Sequence, residues 1–537
     1  MTDQHVYGLM FLALLLAATY GIRRHQAIRA GVTTVKDSLA TVLLWWSDNE
    51  AFTVRDLLNG GVAIFGRTGS GKTSSSGKAL ANAVVQYGNS GGLILAAKPE
   101  DAGMWRSIFA AAGRSDDLLV FSPENPLRFN FLDYEMRAGG HTRNITRCIT
   151  VIGETLRSND SKGGENADFW EAEQSRMIFN AVEVVKLATG KIGAPELQKF
   201  ISTAAMNPGV IGTAEWQAGF HNQCLKAAFE KHKSPMQQHD FDLAKDYWLS
   251  EFPAMSDRTR SSIMTGVMGI LHQFNVGVVR ELVSTTTNVT PEDMFAGKWV
   301  LVDMAPAEWG DIGNFIAAGW KYLTQKAVLR RHTDEADSIN VIWCDEAQQF
   351  VNSHDAHYLA QCRSHNGAMI FLSQSVHSYY AALKGDTGKH QADALLTNFT
   401  KVFHALGDVQ TAEFASGLVG KSLQTFVGGS TAPHDNMLEE LFGQSKFTGS
   451  FNTHYEKVLQ DNFFINGLRT GGKANGLVCD CIVIRSGEPF ASGQNWVWVA
   501  FSQQQEVWHV TARRSDVFDS RQFVLARRVR EGCPPAR

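Results

Sequence analysis

Gly66-Arg67-Thr68-Gly69-Ser70-Gly71-Lys72-Thr73 is a complete G-x-x-x-x-G-K-T stretch, and its reading decides the fold. Before it stands Gly61-Val62-Ala63-Ile64-Phe65, short and apolar enough for a buried strand, and after it, from Ser74, a segment suited to a helix. The setting matters because glycines let the backbone wrap a phosphate while the helix N-terminus contributes its positive dipole end. Gly66, Thr68, Gly69, Ser70 and Gly71 would form the cradle. Lys72 would reach the β- and γ-phosphates, and the Thr73 hydroxyl would bind Mg²⁺. A plain glycine turn closing a strand–helix unit is the alternative. The expected ligands are ATP and Mg²⁺.

Working outward, 537 residues are enough for a large core and more than one domain. With 44 % hydrophobic and 19 % charged residues the composition is globular, and a formal charge of −4 excludes a uniformly basic surface. Nucleic acid is not excluded, because a ring-shaped motor needs cations only along its pore. The seven cysteines are scattered. Cys479 and Cys481 alternate with Asp480 and should share one strand face, with no second close pair to make a metal site. Reduced thiols are the expectation.

Towards the N-terminus, Val6 to Ile22 is an apolar run at the lower limit for a membrane-spanning helix. Tyr7 and Tyr20 lie near its ends, and Arg23, Arg24, His25 and Arg29 follow it, while Met1 to His5 hold no Lys or Arg. This charge order is opposite to that of a secretory signal and predicts one uncleaved anchor with the ATPase body in the cytoplasm. Leu39 to Trp46 is a second apolar patch, too short to span.

Towards the C-terminus, Leu93-Ile94-Leu95-Ala96-Ala97 and Leu118-Leu119-Val120-Phe121 read as further buried strands. Strands alternating with helical stretches predict a parallel sheet with ligands at the carboxyl ends of its strands. Lys98-Pro99-Glu100-Asp101 falls at such an end, as either a contact near the site or a strand-terminating turn. From Phe169 to about Lys298 strand-like blocks are scarce; Phe169 to Leu187, Pro195 to Ala205, Glu215 to His232, Phe241 to Phe252 and Arg258 to Phe274 read as helices. A mostly helical domain inserted in the nucleotide-binding domain accounts for them.

Strand character returns at Trp299-Val300-Leu301-Val302-Asp303 and at Ile339-Asn340-Val341-Ile342-Trp343-Cys344, which runs into Asp345-Glu346. A hydrophobic strand ending in Asp-Glu is the Walker B pattern. Asp345 would hold Mg²⁺ and Glu346 would polarise the attacking water. The next strand, Ala368 to Leu372, ends in Ser373-Gln374-Ser375, making Gln374 a candidate sensor of the γ-phosphate or a strand-capping residue. Arg363 could act in cis, as a finger in a neighbour's site, or in a surface salt bridge, with Arg258 and Arg260 as competitors.

In this combination and order the residues resemble the type IV coupling proteins of conjugation and type IV secretion, TraG/TraD-like, within the HerA–FtsK group. The resemblance takes in the anchor, the Gly66 to Thr73 loop, Lys98-Pro99-Glu100, Asn125-Pro126-Leu127, the helical insert, Asp345-Glu346, Arg363 and Ser373-Gln374-Ser375. It continues through Asn398 to Val402, Gly407-Asp408, Thr411-Ala412, Gly417, Gly420 and Leu468 to Gly472. It departs in having one anchor helix where many members have two, and Ala96-Ala97 ahead of Lys98. The resemblance implies an α/β, RecA-like P-loop domain with a parallel-rich sheet, in an inner-membrane homo-hexamer. Its partners would be DNA, single-stranded, a relaxase or other secreted protein, and the channel components. The expected division is an anchor at 1–25, nucleotide-binding parts at 26–165 and 298–512, a helical insert at 166–297 and a basic tail at 513–537.

Two other readings fit the same residues. One is a docking receptor that binds ATP and mainly recruits substrate; the other is a HerA–FtsK DNA translocase outside secretion, which the anchor disfavours. In the remainder, Asn495 to Phe501 and Val507 to Val510 read as strands. Trp496 and Trp498 share a face suited to core or subunit contact rather than base stacking. Arg513, Arg514, Arg521, Arg527, Arg528 and Arg530 could touch DNA, anionic lipid or a partner, or form a solvated helix end.

Overall fold

The structure, a computed structural model, describes residues 38–155, 167–334, 337–383, 388–431 and 447–503. The apolar run at 6–22, the 507–510 strand and the arginines of the tail lie outside the described residues.

The short apolar runs form strands. In chain order they are β1 (Val42–Ser47), β2 (Glu50–Thr53), β3 (Val62–Phe65), β4 (Ser90–Leu95), β5 (Leu118–Phe121), β6 (Trp299–Val302), β7 (Ile339–Cys344), β8 (Gly367–Ser373), β9 (Thr400–Phe403), β10 (Lys421–Thr431), β11 (Phe447–Lys457), β12 (Val478–Ile484) and β13 (Trp496–Ser502). Nine of them make one sheet in the order β13-β12-β9-β3-β8-β7-β4-β6-β5. The strands from β9 to β5 are parallel, and β12 and β13 add an antiparallel edge. The α/β class and the parallel-rich sheet expected from the sequence are therefore present.

The central strands are buried at every position and largely apolar because both faces are covered. On one face, Val62, Ile64, Ile94, Val341, Trp343, Ile370 and Leu372 pack under α1 (Lys78–Gln86) and α2 (Pro99–Ala111). The β1–β2 hairpin belongs to the same face, with Trp46 and Phe52 in ring contact at 5.1 Å. The Leu39 to Trp46 patch is thus a hairpin strand with Leu44 and Trp46 buried and Val42 and Trp45 exposed, preceded by a helical turn. On the other face, Ala63, Phe65, Leu95, Ile342, Cys344, Met369 and Phe371 pack under helices that include α3 (Phe131–Ala138), α4 (Thr142–Glu154), α5 (Ala167–Thr189), α6 (Asp257–Asn275), α7 (Asp311–Arg330) and α8 (Val409–Val419).

Between β5 and β6 the described residues form helices and turns, without a strand. Their aromatic centre joins Phe200, His221, Trp248 and Phe252. The Glu215 to His232 stretch is two helices, Ala214–Ala218 and Phe220–Glu230, hinged at Gly219. The helix expected at Phe241 starts earlier, at Pro235, because Ser234 and Gln237 form a reciprocal capping box. Among the described residues no single helix is long and apolar enough to cross a membrane. The pair Asp257–Asn275 and Gly277–Val283, bent by 74°, passes that test by composition, but Ile263, Val267, Leu271 and Phe274 are spent in the core.

Candidate nucleotide site

Strand register brings the site together. Phe65 pairs with Ser373 on one side and Phe403 on the other, and Leu95 pairs with Cys344. The carboxyl ends of β3 and β8 finish level, those of β7 and β4 end two residues short of them because Cys344 pairs with Phe371, and Gly66, Gln374, Asp345 and the Ala96–Lys98 turn all leave the same end of the sheet. Because β8 lies between β3 and β7, Gln374 stands between the glycine loop and the Asp-Glu pair.

Glycine is required in the loop for two different reasons. Gly69 and Gly71 have φ of +74° and +87°, where a side chain is strained. A Cβ on Gly66 would stand 2.4 Å from Ser70 Oγ and 2.9 Å from His404 Cβ, so its difficulty is close packing. Gly66 and Ser70 build the underside of the cradle. The Ser70 N–H donates to the Arg67 carbonyl at 3.0 Å, and its side chain is fully buried. Thr68 and Gly69 are exposed at the lip. The segment after Lys72 opens with one wide turn, Thr73–Gly77, before α1 begins.

The acidic half faces the loop at hydrogen-bonding range. Thr73 Oγ1 is 3.5 Å from Asp345 Oδ2, and the other oxygen of Asp345 accepts the Glu346 N–H at 2.8 Å. Glu346 Oε1 has Lys98 Nζ at 3.4 Å, Gln374 Nε2 at 3.5 Å and Lys72 Nζ at 3.7 Å. Its Oε2 accepts from Gln348 Nε2 at 2.9 Å. Burial pushes Asp345 up to about 6, with Asp101 and Glu346 adding to the effect and Lys72 opposing it. Burial acts on Glu346 too, but the Gln348 amide, Lys72, Lys98 and Gln374 outweigh it and hold that carboxyl below its ordinary value. Burial likewise works against the charge of Lys98, and Glu346 and Asp345 overcome it and raise its pKa.

The Lys98 segment is both things the sequence left open. Asp101 accepts the N–H groups of Ala97 and Lys98, both at 3.0 Å, and starts α2 with Pro99 in its first turn, while Lys98 reaches Glu346. Arg363 does not join the cluster within one chain. It is exposed in the turn before β8, and the length of that strand separates it from Gln374. Arg260 is buried and committed to the carbonyls of Pro253 and Met255 and to Asp257, which removes it as a free finger; Arg258 is exposed.

Several neighbours of the loop were not read from the sequence. His404 is fully buried, with Nε2 2.7 Å from Ser76 Oγ and Nδ1 3.0 Å from the Asp480 carbonyl, and burial lowers its pKa to about 4. The neutral ring therefore donates from Nδ1 and accepts from Ser76. Cys479 stands against Gly71, and Gln503 joins the Gly472 N–H to Ser74 Oγ, both at 2.8 Å. Gln348 is itself held, accepting from Ser373 Oγ at 3.0 Å, with the Tyr379 hydroxyl 2.7 Å from that oxygen. Only Gln348 carried a local signal, two residues after Glu346. The others arrive through β9, β12 and β13. Cys148, Cys224, Cys344, Cys362, Cys479 and Cys481 are all buried and free. Trp496 is buried in the core, and Trp498 packs on Phe463 at 5.3 Å.

A family model for the Type IV secretory system Conjugative DNA transfer family matches residues 18–290. The chain belongs to this family. The resemblance read from the motifs and their order is borne out. No curated protein matches the chain. Among solved structures it is similar to unbound TrwBdeltaN70, a bacterial conjugative coupling protein, at 15 % identity and a TM-score of 0.55, over 88 % of this chain and 91 % of that one. TrwB in complex with ADP and Mg²⁺ matches at 14 % identity and 0.54 over the same shares. TrwB with a non-hydrolysable ATP analogue, ADPNP, matches at 16 % and 0.52, over 86 % and 88 %. At such identities the likeness shows the fold alone, which is that of TrwB.

Proposed function

We propose that this chain hydrolyses ATP with Mg²⁺ to drive DNA or a DNA–protein complex towards a type IV secretion channel. Carrying this reading is the convergence of Lys72, Thr73, Asp345, Glu346 and Gln374 on one edge of the sheet, in a member of the conjugative DNA transfer family. The residues fit a Mg²⁺–nucleotide: a glycine cradle at a helix start, an ammonium, and a hydroxyl facing a buried carboxylate. The TrwB complexes with ADPNP and with ADP and Mg²⁺ support the same ligands.

The loop N–H groups and Lys72 bind and orient the phosphates. Thr73 and Asp345 hold Mg²⁺, which when bound neutralises phosphate charge. Lys72 turns from Glu346 to phosphate, leaving the carboxylate of Glu346, still steadied by Gln348, to take a proton from the attacking water. Gln374, within reach of Glu346, senses the γ-phosphate. Exposed Arg363 serves the site of a neighbouring copy in a homo-hexamer. Residues 6–22 anchor the protein in the inner membrane as a single pass with the ATPase body in the cytoplasm, and the helical region at 166–297 receives single-stranded DNA and a relaxase or other secreted protein.

Lys72→Ala should abolish ATP hydrolysis and conjugative transfer together, and transfer at the wild-type level by that variant would refute the reading. Turnover with and without single-stranded DNA separates a motor from a docking receptor, which would show neither basal nor stimulated hydrolysis. The anchor is tested by alkaline carbonate extraction, after which the full chain should remain in the membrane pellet.

A further inference from the structure

Beneath the Asp-Glu elbow lies a buried ion pair that the phosphate chemistry does not use. Lys321 and Gln325 stand one turn apart on α7, both without solvent exposure. Lys321 Nζ is 2.7 Å from Asp355 Oδ2, and Gln325 Nε2 donates to Asp355 Oδ1 at 2.7 Å. Asp355 also accepts the Asn352 N–H at 3.0 Å, and Lys321 donates a second hydrogen bond to the Phe350 carbonyl.

These contacts grip the turn that begins at Glu346. The Gln349 N–H donates to the Glu346 carbonyl, and those of Phe350 and Val351 donate to the Ala347 carbonyl, each at 2.9 Å. Residues 346–351 thus form one hydrogen-bonded unit whose far end, Phe350 to Asn352, is fastened to α7 through Lys321 and Asp355. Glu346 opens the unit at φ +46° and ψ +51°, a left-handed conformation that a residue with a side chain keeps only where its surroundings over-determine it. Nearer its start, α7 packs on α6, with Phe315 against Phe274 at 4.7 Å.

Filling this space needs no charge. A buried Lys–Asp pair is dehydrated at a cost that well-packed apolar residues avoid, so its contribution here is direction rather than attraction. We propose that Lys321, Asp355 and Gln325 are positioning residues for Glu346, pinning the turn so that its carboxylate stays level with Lys72 and Gln374. The proposal rests on the reading of Glu346 as the group that activates water.

Lys321→Met or Asp355→Asn alone leaves the partner's charge buried, and either should lower the melting temperature. The double variant Lys321→Met/Asp355→Asn removes both charges and should regain most of that stability, so its kinetics report positioning. Expected are a Kd for a fluorescent ATP analogue and a KM for ATP within twofold of wild type, with kcat reduced at least tenfold. A role in stability alone would not split kcat from KM. If Glu346→Gln stops turnover while the double variant keeps wild-type kcat, the positioning role is overturned and the ATPase reading stands. If Glu346→Gln itself leaves turnover unchanged, the positioning role and the reading of Glu346 as the group that activates water both fall. Should the double variant not fold, Gln325→Leu decides, because it keeps both charges and frees one oxygen of Asp355. A kcat loss of a few-fold supports the proposal, and none refutes it.

Discussion

Gly71→Ala tests the loop and its unexpected neighbour together. At φ +87° an alanine is strained by about 1–2 kcal/mol relative to glycine. The new Cβ would stand 2.2 Å from Cys479 Sγ, with the next atoms, the Thr470 carbonyl oxygen and Cys479 Cβ, at 3.3 and 3.5 Å. The sulfur is fully buried on a strand paired on both sides, so it cannot swing into solvent, and the loop or the strand must shift. Overpacking of this kind costs about 1–3 kcal/mol. The two effects sum to roughly 2–5 kcal/mol, or about thirty-fold to several-thousand-fold in nucleotide affinity if taken wholly from the cradle. Cys479→Ala removes the offending atom and leaves the backbone strain. Nucleotide affinity, measured by fluorescence of a labelled ATP analogue, should fall in Gly71→Ala and recover by about five- to 150-fold in Gly71→Ala/Cys479→Ala. Cys479→Ala alone should bind as wild type. Equal affinities for the single and double variants would show that the thiol does not back the loop.

The other outcomes concern stability. Asp480, 1 % exposed, accepts Arg469 Nε at 2.7 Å and Nη2 at 2.6 Å; because Arg469 is one-third exposed, Arg469→Ala should cost about 2–3 kcal/mol in urea unfolding, somewhat less than the roughly 3–5 kcal/mol of a fully buried pair that loses one partner, and a loss under about 1 kcal/mol would contradict the pairing. A Cβ on Gly319 of α7 would meet the Phe131 ring at 2.0 Å, so Gly319→Ala should lower stability by about 1–3 kcal/mol, and an unchanged melting temperature would refute that packing. Burial lowers His221 to about 4 in the folded chain, against roughly 6.5 unfolded. Between those values the unfolded chain binds the extra proton, so the stability His221 contributes is complete above pH 6.5 and is lost as pH falls towards 4, by about 2 kcal/mol between pH 7 and 5. Denaturant unfolding across that interval should show a slope that His221→Gln flattens; an identical slope in the variant would count against a buried neutral ring.

Legibility followed sequence distance. The strands at Val62–Phe65, Leu118–Phe121 and Ile339–Cys344 were readable because each is a short apolar run closed by a glycine loop, a turn or a carboxylate. The helix ends moved where capping side chains compete with hydrophobic period, as at Ser234 and Gln237. Leu39 to Trp46 reads as an apolar patch too short to span, and its pairing into a hairpin was not legible because the partner strand, Glu50–Thr53, is four residues long with a polar residue at each end. Arg363 lies near Gln374 in the chain, but β8 runs between them and sets the two at opposite ends of that strand.

By itself the sequence determined the phosphate cradle, the Asp-Glu pair and the family. The first two are local, since φ-permissive glycines, a helix start, or a carboxylate closing a strand is specified by residues within one turn of chain, and the family follows from the order of such motifs along the chain. Only the tertiary structure decided which groups share Glu346, what backs Gly71, and that Lys321 stands under the turn that Glu346 opens. Those depend on β8 lying between β3 and β7 and on β12 reaching the loop through β9, pairings fixed by burial of both sheet faces rather than by any neighbour in sequence.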